Sequence, residues 1–389
     1  MIFKIALKNL FAAGLRTWLN VFVLSLTLAS IIFLQGLMAG MLDEMSSLRV
    51  AEEIGGGQLW QESYDPFDPM TLEDSRSLQP AALSPLVAQG SACPVLLLSG
   101  GIYAKERFKN VLLKGVDPEQ NCLELDFSPL AGELSDGNLK VMIGRHFAKN
   151  LGVSTGDLVT LRWRTQAGAI NALDAEVVAL LETQVPAMDQ GQIYLSYSKL
   201  NQMNQTQSFT SLLWVKPGVT PSAPSGWVFR DVDYLMRDTL EMVQTKSAGQ
   251  SFFFALLLLL GLIAVFDTQA LAVFRRKKEI GTFMALGMSN AKVTYLFVVE
   301  GSLQGILASL VTLVWAGPLF YWSTQTGLDM GISGEDFGMA FGQVFYPLFG
   351  WGKVLTAVLL VNAMVVFVSF WPVRVIAKMS PANALSGRL

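Results

Sequence analysis

Few residues in this chain have types and spacing suited to chemistry. Arg275-Arg276-Lys277-Lys278-Glu279 places four cations and one acid at the end of an apolar run, which suits gripping a surface rather than breaking bonds. The two cysteines, Cys93 and Cys122, both fall between the first and second long apolar segments. An oxidising compartment would permit a disulfide between them; two buried thiols are the alternative. His146 is the only histidine, set beside Arg145 on a polar stretch that reads as solvated, and without a second histidine there is no zinc set. No Gly-x-x-x-x-Gly-Lys-Ser/Thr phosphate loop and no Gly-x-Ser-x-Gly elbow occurs. Gly55-Gly56-Gly57 lacks the strand and helix that would frame a phosphate cradle and reads as a flexible stretch. The chain is therefore expected not to be an enzyme and to hold no cofactor or metal. Any energy it uses must come from a partner.

The elements that position these residues are those of a membrane protein. Apolar residues make up 52% of the 389 and charged residues only 15%, against roughly a quarter charged in soluble chains. Four segments, 18–42, 251–274, 293–322 and 354–373, match or exceed the about 20 residues that cross a bilayer. The first is longer than a signal-peptide apolar region and ends in a poor cleavage site. The expected fold class is integral membrane α-helical, with four transmembrane helices and a large α+β extracytoplasmic domain between helices one and two. Of twelve Lys and Arg outside 43–250, eleven flank the ends assigned to the cytoplasm: Lys4, Lys8, Arg16, Arg275, Arg276, Lys277, Lys278, Lys292, Arg374, Lys378 and Arg388. The positive-inside rule then puts an amphipathic segment 1–17, an elbow 275–292 and a tail 374–389 in the cytoplasm. The domain 43–250 and a short loop 323–353, with Asp329, Glu335 and Asp336, lie outside.

The outer segment carries 25 acidic and 16 basic residues. Its short apolar runs, 111–113, 158–161, 177–181, 192–195 and 212–215, are bounded by Gly, Pro, Asp or Asn and read as strands. Arg145 to Leu151 reads as a helix stopped by Gly152, with Thr155-Gly156-Asp157 turning into the next strand. Gln58 to Pro80 has weak periodicity and reads as loop.

In the elbow, Ile280, Phe283, Met284 and Leu286 suggest one face of a short helix, and Gly287 with Ser289-Asn290 breaks it before the next span. Such a helix between two membrane rods transmits force well. The same pattern also suits a helix lying on lipid headgroups with Arg275 to Lys278 as anchors. The pattern alone leaves both open.

Arg276-Lys277-Lys278-Glu279-Ile280-Gly281-Thr282-Phe283-Met284-Ala285-Leu286-Gly287-Met288, followed by Val299-Glu300-Gly301, resembles the signature of the MacB/FtsX-type ABC transporter permeases. Ala6-Leu7-Lys8-Asn9-Leu10 with Leu15-Arg16-Thr17 is similar to their N-terminal segment. Gly115-Val116-Asp117-Pro118-Glu119 and Ile143-Gly144-Arg145 through Gly156-Asp157 are similar to their external core domain, and Pro372-Val373-Arg374 through Ala384-Leu385 to their C-terminal ending. The resemblance implies a permease whose partners are a cytoplasmic ABC ATPase dimer, which holds ATP and Mg, and a second permease subunit, identical or a sister. It assigns Arg275, Arg276, Lys277, Lys278, Glu279, Ile280, Gly281, Phe283, Ala285, Leu286, Gly287, Met288 and Lys292 to coupling with the ATPase.

Length and the external motifs are most similar to the LolC/LolE lipoprotein-releasing permeases of the bacterial inner membrane. That likeness implies lipoprotein cargo, a periplasmic carrier and contact with membrane lipid, with no nucleic acid. Export of peptides, antibiotics or small amphiphiles stays open. So does regulation of a cell-wall hydrolase, although an outer domain of this size is larger than that branch implies. An acyl cargo would need an apolar path, for which Phe33, Leu37, Met41 and Phe252, Phe253, Phe254 are candidates, with lipid-facing or packing roles as the alternative. Asp267 stands where relatives often carry Asn. With Glu300, Gln304 and Asn362 it is either a polar join between helices or part of gating.

Overall fold

The computed structural model describes residues 14–68, 70–134, 137–329, 331 and 344–377. The segment 1–13, most of the outer loop including Glu335 and Asp336, and the ending from Lys378 lie outside the described residues, as do the side chains of Arg16, Lys277, Lys278, Phe283 and Arg374. Two compact units are present, one of Met1–Leu42, Met242–Met330 and Val344–Leu389, the other of Asp43–Glu241 with Gly331–Gln343.

The first unit is helical. Three helical stretches are long and apolar enough to cross a membrane: Thr17–Ile54, Asn290–Thr326 and Trp351–Trp371. The helices that contain them are α1 (Leu15–Arg49), α6 (Asn290–Thr326) and α7 (Trp351–Ala377). The expected second span lies in α4 (Val232–Arg275), whose described apolar stretch is Ser251–Ile263. The core joins Leu24, Leu28 and Ile32 of α1 to Ala308 of α6 and Val361 and Val365 of α7, with Leu258 and Leu262 of α4 partly buried beside it. Polar bonds fix this packing. The Thr312 hydroxyl donates to Ser25 Oγ at 2.9 Å, and Trp315 Nε1 donates to the same oxygen at 2.8 Å. A bond of this kind inside a bilayer is worth about 1 kcal/mol.

Both helices that border the outer domain are longer than their expected spans. No helix breaker occurs between Leu42 and Gly55, and the Arg49–Glu53 pair at 2.7 Å supports the next turn, so helical structure persists through Ile54. α4 begins nineteen residues before Ser251, where the Asp231 carboxylate accepts the Tyr234 N–H at 2.9 Å as an N-terminal cap.

The main sheet of the second unit has nine strands among the described residues: β1 (Gln58–Gln61), β2 (Ala92–Ala104), β3 (Arg107–Val116), β4 (Leu139–Gly144), β5 (Leu158–Arg164), β6 (Ile170–Leu181), β7 (Gln192–Ser196), β8 (Leu212–Val215) and β9 (Trp227–Arg230). Their order is β9-β1-β8-β2-β3-β7-β4-β6-β5, and β5 returns to pair with β2. The last six strands therefore close a barrel. Alternate residues point inward, among them Leu96, Leu98, Leu113, Val141, Ile143, Leu161, Val177 and Ile193, as a two-residue period requires. The five expected strands all occur. The helix α2 (Arg145–Leu151) ends as expected at Gly152, φ 72, and α3 (Tyr197–Met203) covers the barrel beside β3.

Three expectations are corrected here. Gln58–Pro80 is not simply loop, because its first residues form β1, with Leu59 and Trp60 buried between β8 and β9. Gly55-Gly56-Gly57 is not a flexible stretch. A Cβ on Gly55 would stand 2.7 Å from the Val215 carbonyl oxygen, so the glycines let this backbone lie directly on β8. His146 is half-buried rather than solvated, and its backbone N–H donates to the Asp189 carboxylate at 3.1 Å.

Outside the barrel wall, a second core of Val95, Leu97, Phe127, Met142, Tyr194 and Trp214 encloses Lys114. The Lys114 ammonium lies 4.8 Å from the centre of the Trp214 ring, and burial pushes its pKa from 10.5 down to about 8, against the opposing pull of Glu53. The unfolded lysine stays charged up to 10.5 while the folded one loses its proton near 8. The charge penalty is therefore complete below about pH 8, and stability rises from there to about 10.5. At about 1.4 kcal/mol per pH unit the net penalty is about 3 kcal/mol, of which a substitution that also gives up the contact with the Trp214 face recovers only part. Lys114→Met is expected to raise stability at pH 7 by about 1 kcal/mol and to flatten the alkaline rise. Thermal unfolding of the full-length protein from pH 7 to 10.5 checks both; an unchanged alkaline rise would reject the assignment.

Candidate functional site

The charged elbow folds as a helix strapped along the start of α6. α4 ends at Arg275, Arg276 departs from helical geometry, and α5 (Lys277–Ala285) follows. The chain then turns through Gly287, φ 92, into the Ser289 cap of α6.

The residues assigned to coupling divide between two faces of α5. Ile280 is 1% exposed and sits against Val293 and Phe297 of α6, with Met284 and Met288 partly buried beside it, and Gly281 is also buried. The Arg276 guanidinium turns the same way, meeting Glu279 at 2.8 Å and Glu300 at 3.1 Å and lying 5.1 Å from the centre of the Phe297 ring. Ile280 and Met284, four residues apart on α5, share its inward side, and Arg276 before the helix and Met288 beyond the turn extend that contact. Arg275, Glu279, Ala285, Leu286, Gly287 and Lys292 are exposed, and Leu286 is 81% exposed. Ile280 and Arg276 therefore face the chain's own α6, whereas Arg275, Glu279, Ala285, Leu286, Gly287 and Lys292 lie on the open side.

The intramembrane polar residues also separate. Glu300 and Gln304 are buried. Asn362 Nδ2 donates to Ser309 Oγ at 3.0 Å and to the Val358 carbonyl at 2.8 Å, which joins α7 to α6. Asp267 is exposed on α4. Of the candidate cargo path, Phe33 stacks on Phe320 at 6.2 Å, Phe320 stacks on Phe349 at 4.8 Å, and Leu37 is buried, so those two positions serve helix packing. Met41 and Phe254 are half-buried, and Phe252 and Phe253 are exposed.

The outer domain contains its own junction, which the sequence did not announce. Asp189 is buried and accepts the N–H groups of His146 and Phe147 at the start of α2, 3.1 and 3.3 Å away. Cys93 and Cys122 are joined by a disulfide. Among the described residues no group of three or more His, Cys, Asp or Glu is placed to hold a metal ion.

Long apolar helices, a cation-rich elbow and a large α+β domain inserted after the first of them define an integral membrane protein with a folded extramembrane domain. Residues 17–224 match the MacB-like periplasmic core domain and residues 251–381 match the C-terminal domain of FtsX-like permeases. The chain belongs to the MacB/FtsX-type ABC transporter permeases. It is 23% identical over 321 residues to the lipoprotein-releasing system transmembrane protein LolC of Xylella fastidiosa, a match covering 74% of this chain and 75% of that protein. LolC of Neisseria meningitidis is 24% identical over 55% of this chain and 57% of its own length. The periplasmic region of MacB from Actinobacillus actinomycetemcomitans superposes with a TM-score of 0.32 at 13% identity, over 48% of this chain and 94% of that one.

Proposed function

We propose that this chain is the membrane subunit of a bacterial inner-membrane transporter that extracts lipid-anchored cargo from the outer leaflet, driven by a separate ATPase that binds ATP and Mg. In this reading the chain has four spans and cytoplasmic termini, with the domain 43–250 periplasmic; the positive-inside bias of its cations supports it. A second permease subunit, a copy or a sister, completes the membrane part, and a periplasmic carrier receives the cargo. The likeness to LolC supports the cargo class.

The observation that carries the coupling assignment is the divided face of α5. Its inner side is packed on α6, and Leu286, just past its end, is 81% exposed. An exposed apolar side chain at the tip of the elbow suits a cleft in a partner protein. Closure of the ATPase pair would push this tip, and α6 would carry the motion inward.

Burying a leucine side chain is worth about 1.5–3 kcal/mol, so Leu286→Glu is expected to weaken ATPase binding by roughly ten- to hundredfold. Retention of the ATPase on the affinity-purified full-length variant measures this. Wild-type retention would reject the tip as the contact. Cargo is tested by mass spectrometry of the complex purified with native lipids. A diacylated or triacylated protein is expected, and repeated recovery of only small amphiphiles would move the function to export.

A further inference from the structure

The coupling reading says where force enters; it does not say why the force should reach the membrane helices. α5 is joined to α6 only through the turn at Gly287, φ 92, and to α4 through the single non-helical residue Arg276. A push at Leu286 would swing a helix held only in this way. The buried side of α5 supplies a second attachment. Glu300 lies ten residues into α6, about 15 Å along its axis at 1.5 Å per residue. It is 6% exposed and meets the Arg276 guanidinium at 3.1 Å. Between the turn and this pair, Ile280 fills the space against Val293 and Phe297.

We infer that the Arg276–Glu300 pair is a latch that makes α5 and α6 one lever, so that Arg276 and Glu300 are positioning residues for force transmission rather than contacts with the ATPase. The inference rests on the coupling reading for its function and on the α5–α6 geometry for the latch itself. A planar guanidinium suits the position. Arg276 Nη1 approaches both carboxylate oxygens of Glu300, at 3.1 and 3.4 Å, while its Nε is held by Glu279. Lysine could supply the charge but not the fork. The latch leads further along the bundle. Gly305, one turn beyond Glu300, brings α6 close to Asn362, so that a Cβ there would stand 3.5 Å from the Asn362 amide carbon. Asn362 in turn bonds Ser309. Motion imposed on the start of α6 therefore has a polar join to α7.

The test uses the full-length chain with its ATPase in nanodiscs. Nitroxide labels at Ala285→Cys and Ile306→Cys report the α5–α6 distance, the native cysteines being bonded to each other. Glu300→Gln keeps the shape and removes the charge. It is expected to keep ATPase binding within about twofold, to widen the distance distribution at least about twofold, and to reduce ATP-driven motion of labels on the outer domain roughly fivefold. The exchange Arg276→Glu with Glu300→Arg should restore most of that motion. If the exchanged protein does not fold, Arg276→Lys replaces it and should show an intermediate loss. An unwidened distribution in Glu300→Gln would overturn the latch. So would a widened one that leaves ATP-driven motion intact. Failure of the wild-type chain to bind an ATPase would remove the coupling reading alone, and the label distance in the isolated chain would still decide the latch.

Discussion

Gly144→Val is expected to prevent the outer domain from reaching its native fold. A Cβ at this position would stand 2.5 Å from the Asp189 carbonyl oxygen and 2.6 Å from its Cα, both backbone atoms that no rotamer change can move. Asp189 cannot withdraw without cost, because its carboxylate holds the N–H groups of His146 and Phe147 at the start of α2. Overpacking costs about 1–3 kcal/mol, and leaving a buried charged acceptor without its donors costs about 1.5–3 kcal/mol more. The sum, about 4 kcal/mol, approaches the whole stability of a marginal domain. Protease sensitivity of the full-length variant in membranes checks this, with cleavage expected in the segment 139–151. Asp189→Asn keeps the shape and should lose only about 1 kcal/mol. Wild-type resistance of Gly144→Val would show that β4 can shift, and the explanation of this glycine would fail.

The same junction shows what the sequence exposes and what it hides. Arg145 to Leu151 with Gly152 is visible as a helix and its stop, because each is a local preference. That Gly144 must lack a side chain is not visible, since Asp189 arrives from 45 residues away. β2 was not among the expected strands: it runs through Pro94, Gly100 and Gly101, and its second half pairs with the distant β5 to close the barrel. The membrane unit was more legible. The periodicity of a span and the charge of its ends are local, so long apolar segments and a charged break between them can be read without knowing what they pack against. The division of the elbow into two faces cannot, because 24 residues separate Arg276 from its buried partner Glu300. Two charges that look alike in the sequence, Arg275 and Arg276, point in different directions.

Breaking the Cys93–Cys122 disulfide is expected to cost about 3.6 kcal/mol, the loop-closure entropy for a separation of 29 residues. The loss should be local before it is global. Cys122 begins a stretch with little regular structure whose Leu123, Leu125, Phe127 and Leu130 are all buried, Phe127 lying 5.2 Å from the Tyr194 ring. Apolar burial holds that cover in place, and the bond to β2 restricts how far it can open. Cys93→Ala with Cys122→Ala should therefore lower thermal stability and raise hydrogen exchange first in 117–130, while α2 and the barrel strands follow only at higher denaturant. Uniform exchange across the outer domain would show that the cover is not a separate unit. The bond also ties chemistry to topology. A disulfide persists in an oxidising compartment and is rare in the cytosol, so thiols blocked in living cells at Cys93 and Cys122 would require this domain to be outside. Free thiols in cells that oxidise their exported proteins normally would require the opposite orientation, and with it a different face for the elbow.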